Sequence, residues 1–229
     1  MDKKIKVLTI SDHPLMPSGV ATQAKYFIEG LLKTGKYTVI SLGGAIKHAD
    51  YRPILTEEFK EDWKIFPVDG FGDPNIIRSL IRSEKPDILW FMTDPRFYGW
   101  LWNIANEIRP LVPMVYYHVW DNYPYPKFNK PFYDSNDVIV SISKVTDDIV
   151  KTISPEVESH YLPHAIDPNL FFPMPEEEVK KLLMMMAVRG TETTIVLIKI
   201  AGSVFSHQPN ASNQTDNMTM LINCRNSIN

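Results

Sequence analysis

The sequence predicts an α/β protein in which a parallel β-sheet of Rossmann-like type carries helices on both faces. Two patterns support this prediction. Short apolar runs rich in β-branched residues, typical of buried parallel strands, alternate about six times with segments whose apolar residues recur at helical spacing. Polar loops that contain proline or glycine separate these segments. With 229 residues, the chain is long enough for one large domain or two small ones.

The first strand, loop and helix are predicted at the start of the chain. Lys4–Ile10 is the strand, Ser11–Ser18 is a polar loop, and helical spacing begins at Val20 and ends at Gly35. Gly19 therefore lies at a helix N-terminus, where free N–H groups and the helix dipole suit a phosphate. A conformationally permissive glycine at the start of a helix explains it equally well, because no G-x-G-x-x-G spacing is present.

The remaining elements continue the alternation. The later strands are predicted at Tyr37–Leu42 (ended by Gly43 and Gly44), Trp63–Val68, Lys85–Asp94, Val112–Tyr117, Asp137–Ile142 and Val157–Leu162. The helices between them are predicted at Asn75–Ser83, Phe97–Glu107 and Lys144–Ile153. Asp73 and Ser143 are the expected N-caps of the first and last of these helices. His48–Glu61 has no clear period and is expected to cross the surface.

The composition excludes several classes of protein. A single cysteine, Cys224, excludes an internal disulfide framework and a cysteine zinc cluster. The net charge of −3 gives no field that favours nucleic acid. No apolar run approaches the ~20 residues of a membrane span, and the first strand is too short for a signal peptide. We therefore expect a cytoplasmic protein, with peripheral contact to a membrane left open.

Polar residues follow the carboxyl ends of the predicted strands. In an open parallel sheet these ends meet at one edge, where ligands bind. The residues concerned are Asp12, His13, Asp94, Arg96, His118, Trp120, Asp121 and Ser143. Because they come from separate parts of the chain, their convergence favours a site over an ordinary surface.

Each candidate also has a purely structural explanation. His118 could orient a hydroxyl or stabilise an anionic centre, or be a buried histidine bonded to neighbouring backbone. Asp94 and Arg96 could hold a sugar or phosphate, or form a surface ion pair. Trp120 could stack on a sugar, or simply pack within a proline-rich loop. Asp121 could bind a hydroxyl or occupy a turn.

No metal site is predicted. His160 and His164 are four residues apart, but Pro163 prevents them from sharing a helix face. A Walker loop and a serine nucleophile elbow are also absent from the sequence.

Three segments together resemble the family-4 retaining glycosyltransferases of GT-B fold. SDHPLMPSGVATQAKYFIEGLLKTG resembles the glycine loop and helix that open their N-terminal domain. DVIVSISKVTDDIV, from Asp137 to Val150, resembles their strand, Ser-Lys and helix segment. YLPHAIDPNLFFP, from Tyr161 to Pro173, resembles their interdomain linker, with Ala165 where glycine is usual.

The resemblance implies a reaction and roles for the candidate residues. A sugar would pass from a nucleotide diphosphate sugar to a glycan, lipid or protein acceptor with retained configuration, with no metal, further cofactor or nucleic acid. His118 would be the catalytic residue that contacts the transferred sugar. Ser18, Gly19 and Val20 would approach the donor diphosphate. The residues that would bind the acceptor or the sugar are Asp12, His13, Asp94, Arg96, Trp120, Asp121 and Ser143.

The resemblance also divides the chain. Residues 1–162 would form the Rossmann-like, acceptor-side domain, and residues 163–175 the interdomain linker. Residues 176–198 would form the first helix and strand of an incomplete second domain. Residues 199–229 are expected to be an irregular tail, either disordered or produced by a frameshift.

The C-terminal part departs from the family. A helix is expected at Glu176–Met186 and a strand at Thr191–Ile200, but neither the E-x₇-E motif nor the basic pair that hold the donor nucleotide in the family follows. We therefore expect a truncated second domain and little or no transfer by this chain alone. A divergent tail, a non-catalytic Rossmann-type domain that binds a carbohydrate or partner, and a small subunit that pairs with a donor-binding chain are the alternatives.

Overall fold

The computed structural model describes residues 3–170 and 172–188. The chain divides into two compact units, Met1–Ala165 and Ile166–Asn229. The strands are β1 (Ile5–Asp12), β2 (Tyr37–Gly44), β3 (Ile54–Leu55), β4 (Trp63–Pro67), β5 (Ile88–Met92), β6 (Met114–His118), β7 (Val138–Ser141) and β8 (Glu158–Tyr161). The helices are α1 (Gly19–Lys33), α2 (Pro74–Glu84), α3 (Gly99–Trp102), α4 (Ala105–Ile108), α5 (Lys130–Tyr133), α6 (Lys144–Ile153) and α7 (Glu176–Val188).

The first unit contains one eight-stranded sheet, in the order β3-β4-β2-β1-β5-β6-β7-β8. All neighbouring strands are parallel except β3 and β4. From β1 the chain builds outward through β2 and β4, and it then returns to place β5 on the other side of β1. The predicted Rossmann-like α/β fold is confirmed, and its topological switch point lies between β1 and β5.

Local sequence signals set the ends of the longer helices as expected. The Asp73 carboxylate accepts the N–H groups of Asn75 and Ile76 at the start of α2, at 2.7 and 3.2 Å. Ser143 caps α6 and shares a capping box with Thr146. Gly35, with φ of 71°, follows α1 in the left-handed conformation.

The two faces of the sheet bury separate apolar clusters. Along β1, Val7 belongs to the cluster that contains α1, whereas its neighbour Leu8 belongs to the cluster that contains α2, α4 and α6. This alternation follows from the two-residue period of a strand. At the switch point the buried Tyr98 hydroxyl lies 2.9 Å from the Ile10 carbonyl oxygen and 3.0 Å from that of Met92, so it joins β1 to β5.

Several predicted boundaries were wrong. The helix predicted at Phe97–Glu107 is divided into a 3-10 turn at Pro95–Tyr98, α3 and α4, because the backbone leaves helical geometry at Tyr98 and again at Ile104. β3 and α5 were not predicted. Helix α7 confirms the helix expected at Glu176–Met186, whereas the strand expected at Thr191–Ile200 and the tail at 199–229 lie outside the described residues.

Strand β2 includes Gly43 and Gly44, which the sequence predicted as its end. They pair with Ser11 and Asp12 of β1, which is also longer than predicted. A Cβ on Gly44 would lie 1.9 Å from the Gly70 carbonyl oxygen. The His13 ring lies against Gly43 and the Gly70 backbone lies against Gly44, so the two glycines make room for close neighbours and do not break the strand.

Candidate functional site

The candidate site is the carboxyl edge of the sheet around the switch point, beginning with the turn from β1 to α1. The Ser18 hydroxyl accepts the Ala21 N–H at 3.0 Å and donates to the Asp12 carboxylate at 2.7 Å. The Asp12 carboxylate thus orients the hydroxyl that caps the helix. The first turn of α1 contains no acidic residue, so the Asp12 carboxylate on the capping hydroxyl is the acidic group at its positive end.

Gly19 is the first residue of α1 and is exposed. A Cβ built on it would meet nothing within 4 Å, and its φ lies outside the left-handed region. Neither the backbone conformation nor packing requires glycine at this position. The consequence is an open approach to the backbone N–H groups at the start of the helix.

His13 supports this turn from inside the protein. It is 6% exposed, and its Nδ1 accepts the Leu15 N–H at 3.3 Å. Its ring centroid lies 5.5 Å from that of His48, whose Nε2 donates to the Gly43 carbonyl oxygen at 3.0 Å. Burial, followed by the neighbouring His48, lowers the pKa of His13. His13 is therefore a buried support of the loop rather than a group that faces a ligand.

The structure brings Asp94, Arg96 and Trp120 together. Asp94 accepts hydrogen bonds from the Arg96 guanidinium at 2.9 and 2.8 Å, and from the Arg96 backbone N–H at 2.9 Å. The guanidinium carbon lies 5.5 Å from the centroid of the Trp120 ring. The Arg96 side chain is 71% exposed and Trp120 is half-buried, so this group presents to solvent a cation that Asp94 holds against a partly exposed aromatic ring.

His118 occupies the last position of β6 and is fully buried. Its Nε2 lies 2.9 Å from the Tyr133 hydroxyl, which also accepts an Asn129 amide hydrogen bond at 3.3 Å. Burial lowers the pKa of His118 to about 4, and the backbone of Thr146 opposes that shift. The side chain is therefore neutral at pH 7 and reaches no surface in this conformation. Its Nδ1 has no hydrogen-bond partner among the described residues.

The other predicted site residues are dispersed. Ser143 uses its hydroxyl to cap α6. Val20 is half-buried and packs against the cluster on the α1 side of the sheet. Asp121 is exposed in the loop after β6 and forms no side-chain hydrogen bond in the described part of the chain. Tyr133 and Tyr98 were missed, because nothing in the local sequence shows that these hydroxyls reach His118 or the end of β1.

A cavity of about 610 Å³ lies at the opposite, amino-terminal edge of the sheet. Its lining includes the ion pairs Lys3–Asp87 and Arg78–Glu107, and its floor includes Ile81. It contains none of the predicted site residues. We therefore locate the candidate site from the sheet topology and not from this cavity.

Within 3–170 and 172–188, no group of three or more His, Cys, Asp or Glu side chains could hold a metal ion. In the same part of the chain, none of the helices combines the length and apolar character that a membrane crossing requires.

Comparison with known proteins extends the description of the fold. Neither protein-family profiles nor curated proteins gave a match. Among solved structures, the chain is similar to HepE (Alr3699) of Anabaena in complex with UDP and glucose, with a TM-score of 0.50 and 15% identity. The match covers 80% of this chain and 50% of the HepE chain, so this protein spans about half the length of that structure. At this identity the likeness concerns the fold alone.

Proposed function

We propose that this chain is the acceptor-side part of a glycosyltransferase that moves a sugar from a nucleotide diphosphate sugar to an acceptor with retained configuration. The three sequence segments that resemble such enzymes support the proposal, and so does the Rossmann-like sheet. HepE, the structural neighbour, was solved with UDP and glucose, which are the two kinds of molecule that such a reaction involves.

The observation that carries the proposal is the unobstructed start of α1. Gly19 follows the capping residue Ser18 at the switch point, and no neighbouring atom requires the side chain to be absent there. A diphosphate can therefore approach the free N–H groups of the first turn, where the helix dipole also favours an anion. In this proposal Gly19 and Val20 contact the donor diphosphate through their backbone N–H groups, and Ser18, whose own N–H donates to the Met16 carbonyl oxygen at 3.0 Å, holds the turn beside it.

The remaining residues divide by accessibility. Arg96 and Trp120 are placed to contact a sugar or acceptor, with Asp94 holding the guanidinium and Asp121 on the exposed loop beside them. Asp12, His13 and Ser143 would act indirectly, since their side chains hold the turn at α1 or cap α6.

His118 admits two roles in this proposal. A contact with the transferred sugar requires its side chain to become accessible from its buried position against Tyr133. Alternatively, His118 supports the end of β6 and takes no part in the chemistry. The first role predicts that His118→Asn lowers turnover of the whole enzyme by ~10²–10⁴ with little loss of stability. The second predicts that stability falls and that turnover of the folded fraction is retained.

Calorimetric titration of the wild-type chain and Gly19→Leu with UDP, GDP and glucose tests the proposal. We expect weak nucleotide binding by the wild type and at least a ~10-fold loss in the variant, because the leucine side chain would occupy the approach to the helix start. Gly30→Leu is the matched control, since Gly30 is an exposed glycine of the same helix with nothing within 4 Å of a Cβ. Equal nucleotide binding by Gly19→Leu and the wild type would contradict a diphosphate contact at the start of α1.

The chain spans half of its structural neighbour, so its activity needs a separate test. We expect the 229-residue chain, assayed alone with nucleotide sugars and acceptors, to transfer little or no sugar. Rapid transfer would show that this chain carries a complete donor site.

The second candidate is a non-catalytic domain that binds a carbohydrate or a partner protein. The observation that favours it is that the polar side chains of Asp12, His13 and Ser143 are all engaged in internal hydrogen bonds. Side chains used in this way support the fold and are not free to take part in a reaction. Binding of glucose or a glycan without any nucleotide binding would support this candidate over transfer.

A further inference from the structure

The chain that leaves β8 forms a strap, Leu162–Ala165, at the carboxyl edge of the sheet. All four of its residues are exposed, so apolar burial contributes little to holding them in place. The strap nevertheless has specific partners on three separate elements. Its position therefore depends on a small number of polar and aromatic contacts.

The first end of the strap is tied to β6 and β7. The Leu162 N–H donates to the Ser141 carbonyl oxygen at 2.9 Å, and the Leu162 carbonyl oxygen accepts the Tyr117 hydroxyl at 2.8 Å. Two residues further along the strap, the ring of His164 lies 5.7 Å from that of Tyr117. These contacts keep Leu162 in register with the sheet.

The second end is held by one side chain of α1. The Gln23 Nε2 donates to the Ala165 carbonyl oxygen at 2.8 Å, and the Gln23 Oε1 accepts the Ala165 N–H at 3.0 Å. Both groups of the primary amide are used on a single residue 142 positions away. The reverse amide orientation would oppose donor to donor and acceptor to acceptor, so the contact also determines how the amide is oriented.

Gln23 lies four residues after Gly19, about one turn along the same helix. A displacement of the start of α1 therefore moves the strap's partner with it. We propose that Gln23 is a positioning residue that fastens the chain leaving the first unit to α1, so that occupation of the helix N-terminus is coupled to the strap. The coupling rests on the proposed function, whereas the fastening itself does not.

Amide hydrogen exchange of the complete chain, followed by NMR, tests the fastening. In Gln23→Ala the Ala165 amide should exchange roughly tenfold faster, because both hydrogen bonds are lost. Gln23→Glu retains the acceptor, loses the donor and places a carboxylate against the Ala165 carbonyl oxygen, so its exchange rate should lie between the two. The Leu162 amide, bonded to Ser141, serves as the internal reference and should change little. Lys25→Ala, a neighbouring position on α1, is the control variant and should match the wild type.

Equal Ala165 exchange in the wild type and Gln23→Ala would overturn the fastening. UDP added to the wild type should slow the exchange of Ala165, and it should have no such effect in Gln23→Ala. UDP binding without any change at Ala165 would overturn the coupling. Absence of UDP binding would count against the coupling and the proposed function together, while the comparison without ligand would still decide the fastening.

Discussion

Two glycine-containing turns at the carboxyl edge of the sheet differ in what their glycines do. At the end of β2, Gly43 and Gly44 are buried, and a Cβ on either would collide with His13 or with the Gly70 carbonyl oxygen. At the start of α1, Gly19 is exposed and a Cβ would meet nothing. The close packing around the first pair disfavours any side chain there. At Gly19 packing imposes no such requirement, which leaves the start of α1 open to a ligand.

The largest expected loss of stability is at Gly44, one of the two closely packed glycines. Gly44→Ala should destabilise the protein by about 3 kcal/mol or more, because its Cβ would lie 1.9 Å from a backbone oxygen that cannot rotate away. Urea unfolding followed by circular dichroism measures the change. Wild-type stability in this variant would show that the Gly70 turn moves freely, and the contrast with Gly19 would disappear.

The next largest effect is the pH dependence of stability that comes from the buried His118. The pKa of His118 is lowered from 6.5 to about 4 by burial, so the unfolded chain binds a proton more readily than the folded chain between these values. Folding stability should therefore fall as the pH drops from about 6.5 to about 4, by up to about 3 kcal/mol from this one group.

Urea unfolding at several pH values, compared between the wild type and His118→Asn, isolates that contribution, because His13 and His164 also have lowered pKa values and act in the same direction. His160→Asn, at an exposed histidine, is the matched control. The same pH dependence in the wild type and His118→Asn would mean that His118 is accessible to protons in the folded protein, which would favour a direct role in chemistry.

Gly43→Ala should have a smaller effect, about 1–2 kcal/mol. Its Cβ would lie 2.6 Å from the Cδ2 atom of His13, and this ring can shift partly aside although it is buried. The displaced ring should change the chemical shifts of His13 and His48 in NMR spectra. Unchanged ring signals together with unchanged stability would show that the two histidines are loosely packed.

The smallest effect is expected at the open turn. Gly19→Ala should change the free energy of unfolding by less than about 0.5 kcal/mol, since no neighbouring atom opposes the added methyl group and alanine favours helix. Thermal unfolding measures the change. A loss as large as that of Gly44→Ala would mean that folding does require glycine at position 19, and the main support for a diphosphate there would be removed.

The fold was largely predictable because its signals are local. The apolar runs and helical periods define the alternation of strands and helices, and Asp73, Ser143 and Gly35 end helices through contacts within a few residues. For the polar residues, the sequence predicted only that they lie at the carboxyl edge of the sheet. The sequence did not predict which of these side chains face solvent, because their burial depends on elements that are distant along the chain.

The sequence alone determined the α/β class, the order of the main elements and the convergence of polar residues at the carboxyl ends of the strands, because periodicity, caps and parallel topology follow from neighbouring residues. The tertiary structure decided that His118 is buried against Tyr133, 15 residues away, and that Gln23 reaches Ala165, 142 residues away. It also decided which glycines are required for packing. The physical reason is that burial and hydrogen-bond partners are set by elements that meet only after the sheet has formed, and no local pattern specifies them.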